Sequence, residues 1–372
     1  MRIACNRKVL HDALQHVGRV VSGRTTLPIL SNVLLEGNGD RLRVVAYDME
    51  MGAESWVGVE VGEAGAITVP ARLLGDIVAS LPEATVEMEA GERSVLELKC
   101  GASDYTINGL PAEEYPVLPE VEAEVSFEVS QGVLKEMIQT TIFAASKDET
   151  RAILTGVLLT WDGQRVKMVT TDSYRLALKT APEGEVKNIS AGEKWAAIIP
   201  ARALQELNRM LAPEAEDTPV KVQASSQRIM FEAGPYRLLS RLIEGQFPNY
   251  ERIIPAESER TITVNREALL GAIKRAAIMA RAEASKLVFM AEGETLTIRA
   301  ESGDVGKAHE ELAARIEGEG MTIAFNAEYL TDALSVMDSE EVVWHLGGPL
   351  STALVKGSED PDYLYMVAPM QA

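Results

Sequence analysis

From Val157 to Leu178 the chain reads VLLTWDGQRVKMVTTDSYRLAL. Two largely apolar runs flank Asp162-Gly163, and in the second run Val166, Met168 and Thr170 alternate with Arg165 and Lys167. Alternation with a period of two, interrupted by Asp-Gly, predicts two antiparallel strands joined by a tight turn. The pattern also occurs from Val33 to Glu50, where Gly39, Leu42, Val44 and Asp48 stand in register with Gly163, Val166, Met168 and Asp172. A fainter third copy runs from Val288 to Ser302, with Gly293, Leu296 and Ile298 in register.

Helical periodicity repeats around these strand pairs. Ahead of each lies an amphipathic segment that starts on a side chain suited to capping a helix: Asn6, Ser130 and Asn265. Behind each, a short strand runs into a second helix, in VPARLLGDIVASL, IPARALQELNRML and FNAEYLTDALSVM. Three elements recurring in one order make the chain three copies of one unit. Two proline-bearing stretches separate the copies. One carries Pro111, Pro116 and Pro119, the other Pro248 and Pro255, and Tyr115 and Tyr250 hold matching places in them. Proline at that density predicts extended connectors. Domains are therefore expected at residues 1–121, 122–252 and 253–372. Short, glycine-bearing turns favour antiparallel over parallel pairing. The expected fold class is α+β, three similar domains with two helices packed on antiparallel sheet in each.

Composition narrows the function. The chain has 372 residues, 46% apolar and 25% charged, an ordinary globular balance. Its net charge of −20 argues against a protein that grips nucleic acid by charge alone. Cys5 and Cys100 lack metal-type spacing and fall in predicted strands, so buried free thiols are expected. The start MRIACNRKVL holds no signal-like apolar run, and no stretch is apolar enough to span a bilayer. A cytoplasmic protein with no membrane contact is the expectation.

The charge is unevenly spread. At 100° per residue, Val9, Leu10, Ala13, Leu14 and Val17 share one side of the first helix, and Lys8, Asp12, Gln15 and Arg19 the other. Around it Arg7, Lys8, Arg19 and Arg24 outnumber Asp12. In the third unit Leu269, Ile273, Ala276 and Ala280 form the core side. There Arg266, Lys274, Arg275 and Arg281 outnumber Glu267. The middle helix is balanced, Lys135, Lys147 and Arg151 against Glu136, Asp148 and Glu149. Each helix alone reads as solvated surface; the recurrence at equivalent places points to a shared use.

Candidate chemistry is thin. His11, His16, His309 and His345 are scattered without ligand spacing, so no metal site is expected. No nucleophile elbow, phosphate loop, zincin or dinucleotide fingerprint occurs, so no cofactor is expected. Asp172, three residues before Arg175, reads as a structural ion pair. Asp48, at the equivalent place, has no such neighbour, so the shared Asp reads as architectural. The end is apolar: residues 363–367 read as a core strand, and Pro369 and Met370 beyond it as an adaptable binding surface.

LPILSNVLLE (Leu27–Glu36), TDSYRLA (Thr171–Ala177), IPAR (Ile199–Arg202), FPNYERIIP (Phe247–Pro255) and the Met-Val-Ala-Pro-Met end resemble the bacterial DNA polymerase III beta subunit family, the sliding clamps, over the whole chain and in order. The resemblance implies a processivity factor with no catalytic residues. It implies a homodimer, two chains meeting head to tail in a ring through which double-stranded DNA threads without sequence reading. Arg24 matches the family's DNA-contacting loop. Lys8, Arg19, Lys135, Lys147, Arg151, Arg202, Arg209, Lys274 and Arg281 are DNA-facing by position. The resemblance also implies a cleft between the second and third domains for linear peptides of the DNA polymerase III alpha subunit, the clamp loader delta subunit, other polymerases and repair proteins. Carried over by motif, it comprises Leu154, Thr171, Tyr174, Arg175, Leu176, Pro248, Arg252, Ile253, Asn326, Tyr329, Leu350, Thr352, Met366, Ala368, Pro369 and Met370, with Leu176, Pro248, Ile253 and Met370 as apolar floor. At the implied subunit contact Tyr105 and Ile107 meet Ile278 and Met279. Here Ser173 stands where glycine is common, Tyr174 where histidine is, Ala368 for a larger apolar residue, and Gln371-Ala372 for Arg-Leu. Lys307 and His309 dilute an acidic set near the contact. Two other readings remain at this point: a peptide-binding adaptor with no DNA role, and a hydrolase using Asp172 or another acidic pair.

Overall fold

The computed structural model describes residues 1–21, 27–91, 93–212, 218–255, 258–281, 284–303 and 306–371. Six α-helices occur among them: α1 (Arg7–Gly18), α2 (Ala71–Ser80), α3 (Gln131–Thr141), α4 (Ala201–Met210), α5 (Arg266–Ala280) and α6 (Ala327–Val336). They are the six that the periodicity predicts. Two of the expected caps form: Asn6 Oδ1 accepts from Lys8 N at 2.8 Å and Asn265 Oδ1 from Ala268 N at 3.0 Å; Asn326 Oδ1, not singled out as a cap, accepts from Glu328 N at 2.8 Å.

The chain forms two compact units, residues 1–132, 186–192 and 202–242 in one and 133–185, 193–201 and 243–372 in the other. In the first unit a five-stranded antiparallel sheet runs from Glu60–Glu63 through Arg2–Asn6, Thr85–Ala90 and Val95–Cys100 to the edge strand Ser103–Asn108. A nine-stranded sheet joins strands of the first and second repeats, where Tyr236–Arg241 pairs with Met51–Gly58 and Leu239 faces Gly52. The second unit is built alike. Its nine-stranded sheet joins the second and third repeats where Arg175–Thr180 pairs with Tyr363–Val367, Leu176 facing Met366. A four-stranded sheet ends at the edge strand Gly306–Ala313. The central repeat thus supplies strands to both units.

Each helix buries one face. On α1, Leu10, Ala13, Leu14 and Val17 are buried, each burial stabilising by roughly 1–3 kcal/mol. Val9, expected on that face, is 47% exposed, because it lies one step of the helix outside the stripe centred on Leu10, Leu14 and Val17. On α5, Leu269, Ile273, Ala276 and Ala280 are buried as expected, with Ala272. They pack with an aromatic core in which Phe289, Phe325 and Trp344 meet at 5.4–5.9 Å. Cys5 and Cys100 are free and buried, and burial pushes the Cys5 thiol up to about 12. No helix among the described residues is long and apolar enough to cross a membrane.

The connectors are anchored as well as extended. Tyr115 is buried; its Oη accepts from Tyr47 N at 2.9 Å and donates to Asn32 O at 3.3 Å. Short 3-10 turns, Ala112–Glu114 and Tyr250–Ile253, interrupt both connectors.

Candidate functional site

The turn between Val166–Thr171 and Arg175–Thr180 is held by side chains. Asp172 Oδ1 accepts from Tyr174 N at 2.9 Å and Arg175 N at 3.0 Å, and Ser173 takes φ 83°. Asp48 repeats the motif, accepting from Glu50 N at 3.0 Å and Met51 N at 2.7 Å, with Met49 at φ 77°. The shared aspartate is thus a turn-capping device. Asp48 also has a cation after all: Arg202 reaches it at 3.0 Å from far along the sequence. A left-handed backbone at Ser173 gives a physical reason for glycine to suit that place. Ser173→Gly is therefore expected to stabilise the protein by about 0.5–1 kcal/mol in urea unfolding; an unchanged or lower midpoint would contradict it.

Arg175 ties this turn to two other elements, α6 and the 3-10 turn Ile142–Ala144. Its side chain is 7% exposed. Nε donates to Asp172 Oδ2 at 2.9 Å, one terminal nitrogen to Asp332 Oδ2 on α6 at 2.7 Å, and the other to Phe143 O at 2.9 Å. Its guanidinium lies 4.4 Å from the ring centre of Tyr329, whose carbonyl accepts from Tyr365 Oη at 2.8 Å. Both Asp172 oxygens are engaged, one by two amides and one by the guanidinium, which leaves no free base there for the hydrolase reading. The sequence pointed to the Asp172–Arg175 pair; Asp332 and Phe143, far apart in the chain, gave no signal.

The chain end lies beside this turn. Ala368 N donates to Tyr174 O and Met370 N to Ala324 O, both at 2.8 Å, so the last described residues bridge the turn and the strand Met321–Asn326. Ala368, Pro369 and Met370 are half-buried. Of the other cleft candidates, Tyr174, Ile253 and Leu350 are exposed, at 59%, 57% and 75%, as are Pro248 and Arg252. Thr352 is half-buried beside Ala353, which faces Val367 across the sheet. Asn326 uses its carbonyl oxygen to cap α6. Leu176 and Met366 are each 1% exposed, packed with Leu158, Val169 and Leu354 and flanked by Ile153, Phe247 and Tyr250. Leu176, expected as part of an apolar floor, is therefore core, Leu154 is buried too, and Leu350 is no core residue.

The basic candidates divide by what they touch. Lys8, Lys147, Lys274 and Arg281 are exposed, and their side chains pair with no described residue. Arg19 is exposed, with Nε on Gln15 O at 3.2 Å. Lys135 is half-buried on α3. Arg209 pairs with Glu206, and Arg202 with Asp48. Arg151 is spent within the fold, on Asp148 Oδ2 at 3.1 Å, Asp172 O at 3.1 Å and Ser146 Oγ at 3.2 Å. Arg24 lies outside the described residues.

The subunit-contact candidates flank two sheet edges. Tyr105 is half-buried on the edge strand Ser103–Asn108, and Ile278 is 58% exposed on α5. Ile107 is 2% exposed: strand alternation turns it into the core, so it cannot present a surface to another chain. Met279 is half-buried against the core. On the edge strand Gly306–Ala313, Lys307 pairs with Glu301 at 2.6 Å, and His309 Nε2 lies 2.9 Å from Glu311 Oε1. No described group of His, Cys, Asp and Glu is arranged to hold a metal ion.

Comparison with known proteins bears on the whole chain. Models of the N-terminal, central and C-terminal domains of the DNA polymerase III beta subunit match residues 1–119, 128–249 and 251–371. A Synechocystis protein described as a beta sliding clamp is 36% identical over 93% of this chain and 93% of its own. The Bacillus subtilis beta sliding clamp is 31% identical over 100% of both. Among solved structures, a sliding clamp from Bartonella birtlesii bound to griselimycin superposes with a TM-score of 0.95 at 31% identity, covering 100% of both chains. That of the Bacillus subtilis DNA polymerase sliding clamp gives 0.94 at 30% identity, covering 100% of this chain and 99% of its own.

Proposed function

Because the chain belongs to the DNA polymerase III beta subunit family, the sliding clamps of DNA replication, we propose how its residues divide a clamp's work between holding DNA and holding partners. Domains are placed at 1–121, 122–252 and 253–372. Two chains close head to tail into a ring through the edge strands Ser103–Asn108 and Gly306–Ala313, with Tyr105 and Ile278 at the contact. Unpaired backbone groups on such edges invite a further strand. No catalytic step is assigned to the protein, and its place is the cytoplasm.

Lys8, Arg19, Lys147, Lys274 and Arg281 face the enclosed duplex, with Lys135, Arg202 and Arg209 in support and Arg24 at the position that matches the family's DNA-contacting motif. Arg151 serves the turn at Asp172 and contributes least. Few phosphate contacts and no base readout leave the ring free to slide. The acidic remainder of the surface, net −20 overall, repels DNA from outside and so favours a threaded duplex over a surface-bound one.

Partner peptides bind where the chain end meets the turn at Tyr174. What supports this is the chain end tied to the turn, Ala368 N donating to Tyr174 O, together with the exposure of the apolar side chains Tyr174, Ile253 and Leu350. Apolar peptide side chains seat there, and the exposed Arg252 at the rim favours an acidic or carboxylate-bearing peptide. The ligands are tails of the polymerase alpha subunit, the loader delta subunit and other replication and repair proteins. Because Leu176 is core, its truncation would mix folding with binding. Met370→Ala with Ile253→Ala is the cleaner test. It is expected to weaken a polymerase-tail peptide by about 2 kcal/mol or more, some thirtyfold, in calorimetry, with unfolding unchanged. Unchanged affinity would remove the site.

A further inference from the structure

The repeat lets the two nine-stranded sheets be compared residue by residue. The register that matches Gly39 with Gly163 matches Leu34, Val45, Tyr47 and Gly52 with Leu158, Val169, Thr171 and Leu176. Matching Tyr115 with Tyr250 sets Leu118 against Ile253. The packing agrees. Leu34, Val45, Tyr47 and Tyr115 form one apolar cluster, with Ile29, Ala112 and Leu118 packed on it. Leu158, Val169 and Leu176 belong to the other, flanked by the counterparts Ile153, Phe247 and Tyr250. Each cluster lies at a strand pair joining two repeats, Gly52 opposite Leu239 in one and Leu176 opposite Met366 in the other.

The two places differ in what fills the floor. Gly52 has no side chain, and a Cβ built on it would collide with Leu118 Cδ1 and stand 3.2 Å from Tyr47 Cδ2. The space that Leu176 occupies in the second unit is taken in the first by a leucine arriving from the connector, beside a tyrosine where the second unit has threonine. Ile253, the counterpart of Leu118, stays 57% exposed. Next to the seated leucine is a cavity of about 740 Å³, walled by Trp56, Met230, Arg237 and Leu239 and by the connector from Val117 to Val121. Arg237 stacks on Trp56 at 4.7 Å, and Arg43 and Arg237 neutralise the buried Glu54 carboxylate, so that wall is aromatic and charge-balanced.

We propose that the junction of the first and second repeats is a second copy of the peptide cleft, occupied in cis by Leu118, so that each chain offers one open site although the fold builds two. The proposal rests on the cleft reading above and deepens it. Leu118 follows closely on Tyr115, which two hydrogen bonds fix in place. A side chain so tethered competes with free peptide at an effective concentration of about millimolar or more.

The test is a calorimetric titration with a synthetic peptide copying the C-terminal tail of the polymerase III alpha subunit. It compares the wild type, Leu118→Ala, and the double variant Tyr47→Thr with Gly52→Leu, which transplants the open cleft's floor. Wild type is expected to bind one peptide per chain, and each variant a second, more weakly. Wild-type binding with folded variants still at one per chain would remove this proposal alone; no wild-type binding would remove the cleft reading and this with it. Hydrogen exchange on the wild type covers the case of variants that do not fold. Excess peptide should slow exchange around residues 171–176 and 366–370 and leave 47–52 and 115–121 unchanged; protection of the latter would overturn occupancy by Leu118.

Discussion

Arg175→Ala is expected to cost the second unit about 3–5 kcal/mol, the range for breaking a buried ion pair from one side. The guanidinium is nearly sealed from water and serves Asp172, Asp332 and the Phe143 carbonyl together, while stacking on Tyr329. Removal strands a largely buried aspartate and releases α6 and the 3-10 turn Ile142–Ala144 from the turn at Asp172. Arg175→Lys should recover little, since one ammonium cannot match a planar fork with separated partners and a ring face. Arg151→Ala is the control. Its side chain is 40% exposed, so its loss should cost under about 1 kcal/mol. Urea unfolding followed by hydrogen exchange at residues 171–180 and 363–367 measures both. An Arg175→Ala protein within about 1 kcal/mol of wild type would contradict the hub role, given the usual cost of such a loss. Function should follow stability here, because Tyr174 O holds the Ala368 amide and thereby the Pro369-Met370 segment.

Much of this molecule could be read from the chain. The starts of the first and fifth helices were legible because Asn6 and Asn265 cap through their own side chains, a local signal. The strand pair with its aspartate turn was legible because alternation and turn chemistry are local too. The cleft residues came from the resemblance; of their stretches, the structure ties the chain end to the turn at Tyr174 and to the strand that ends at Asn326. What stayed hidden is non-local. Alternation marks Ile107 as either inward or outward, and only pairing in the five-stranded sheet decides for the core. Val9 looked like core because a helical wheel assigns it to the apolar half, whereas the helix is only partly covered there. Asp48 appeared unpartnered because Arg202 approaches through the fold. The exchange between Gly52 with Leu118 and Leu176 with Ile253 has no local sign at all; a glycine in a strand becomes informative only when its neighbours in space are known.

The second large effect concerns DNA. A protein held by several phosphate contacts loses about 10³-fold or more in affinity when salt rises from ~50 to ~200 mM. A closed ring threaded by a duplex has no such dependence, since leaving requires a free end or an opened subunit contact. The acidic surface sharpens the contrast by weakening any hold from outside. The decisive assay loads the clamp onto a nicked circular duplex with its loader and ATP, raises the salt, and follows the bound protein before and after one restriction cut. Retention on the circle at high salt and rapid loss after linearisation are predicted; equal retention on both, or salt-driven loss from the intact circle, would contradict capture by threading.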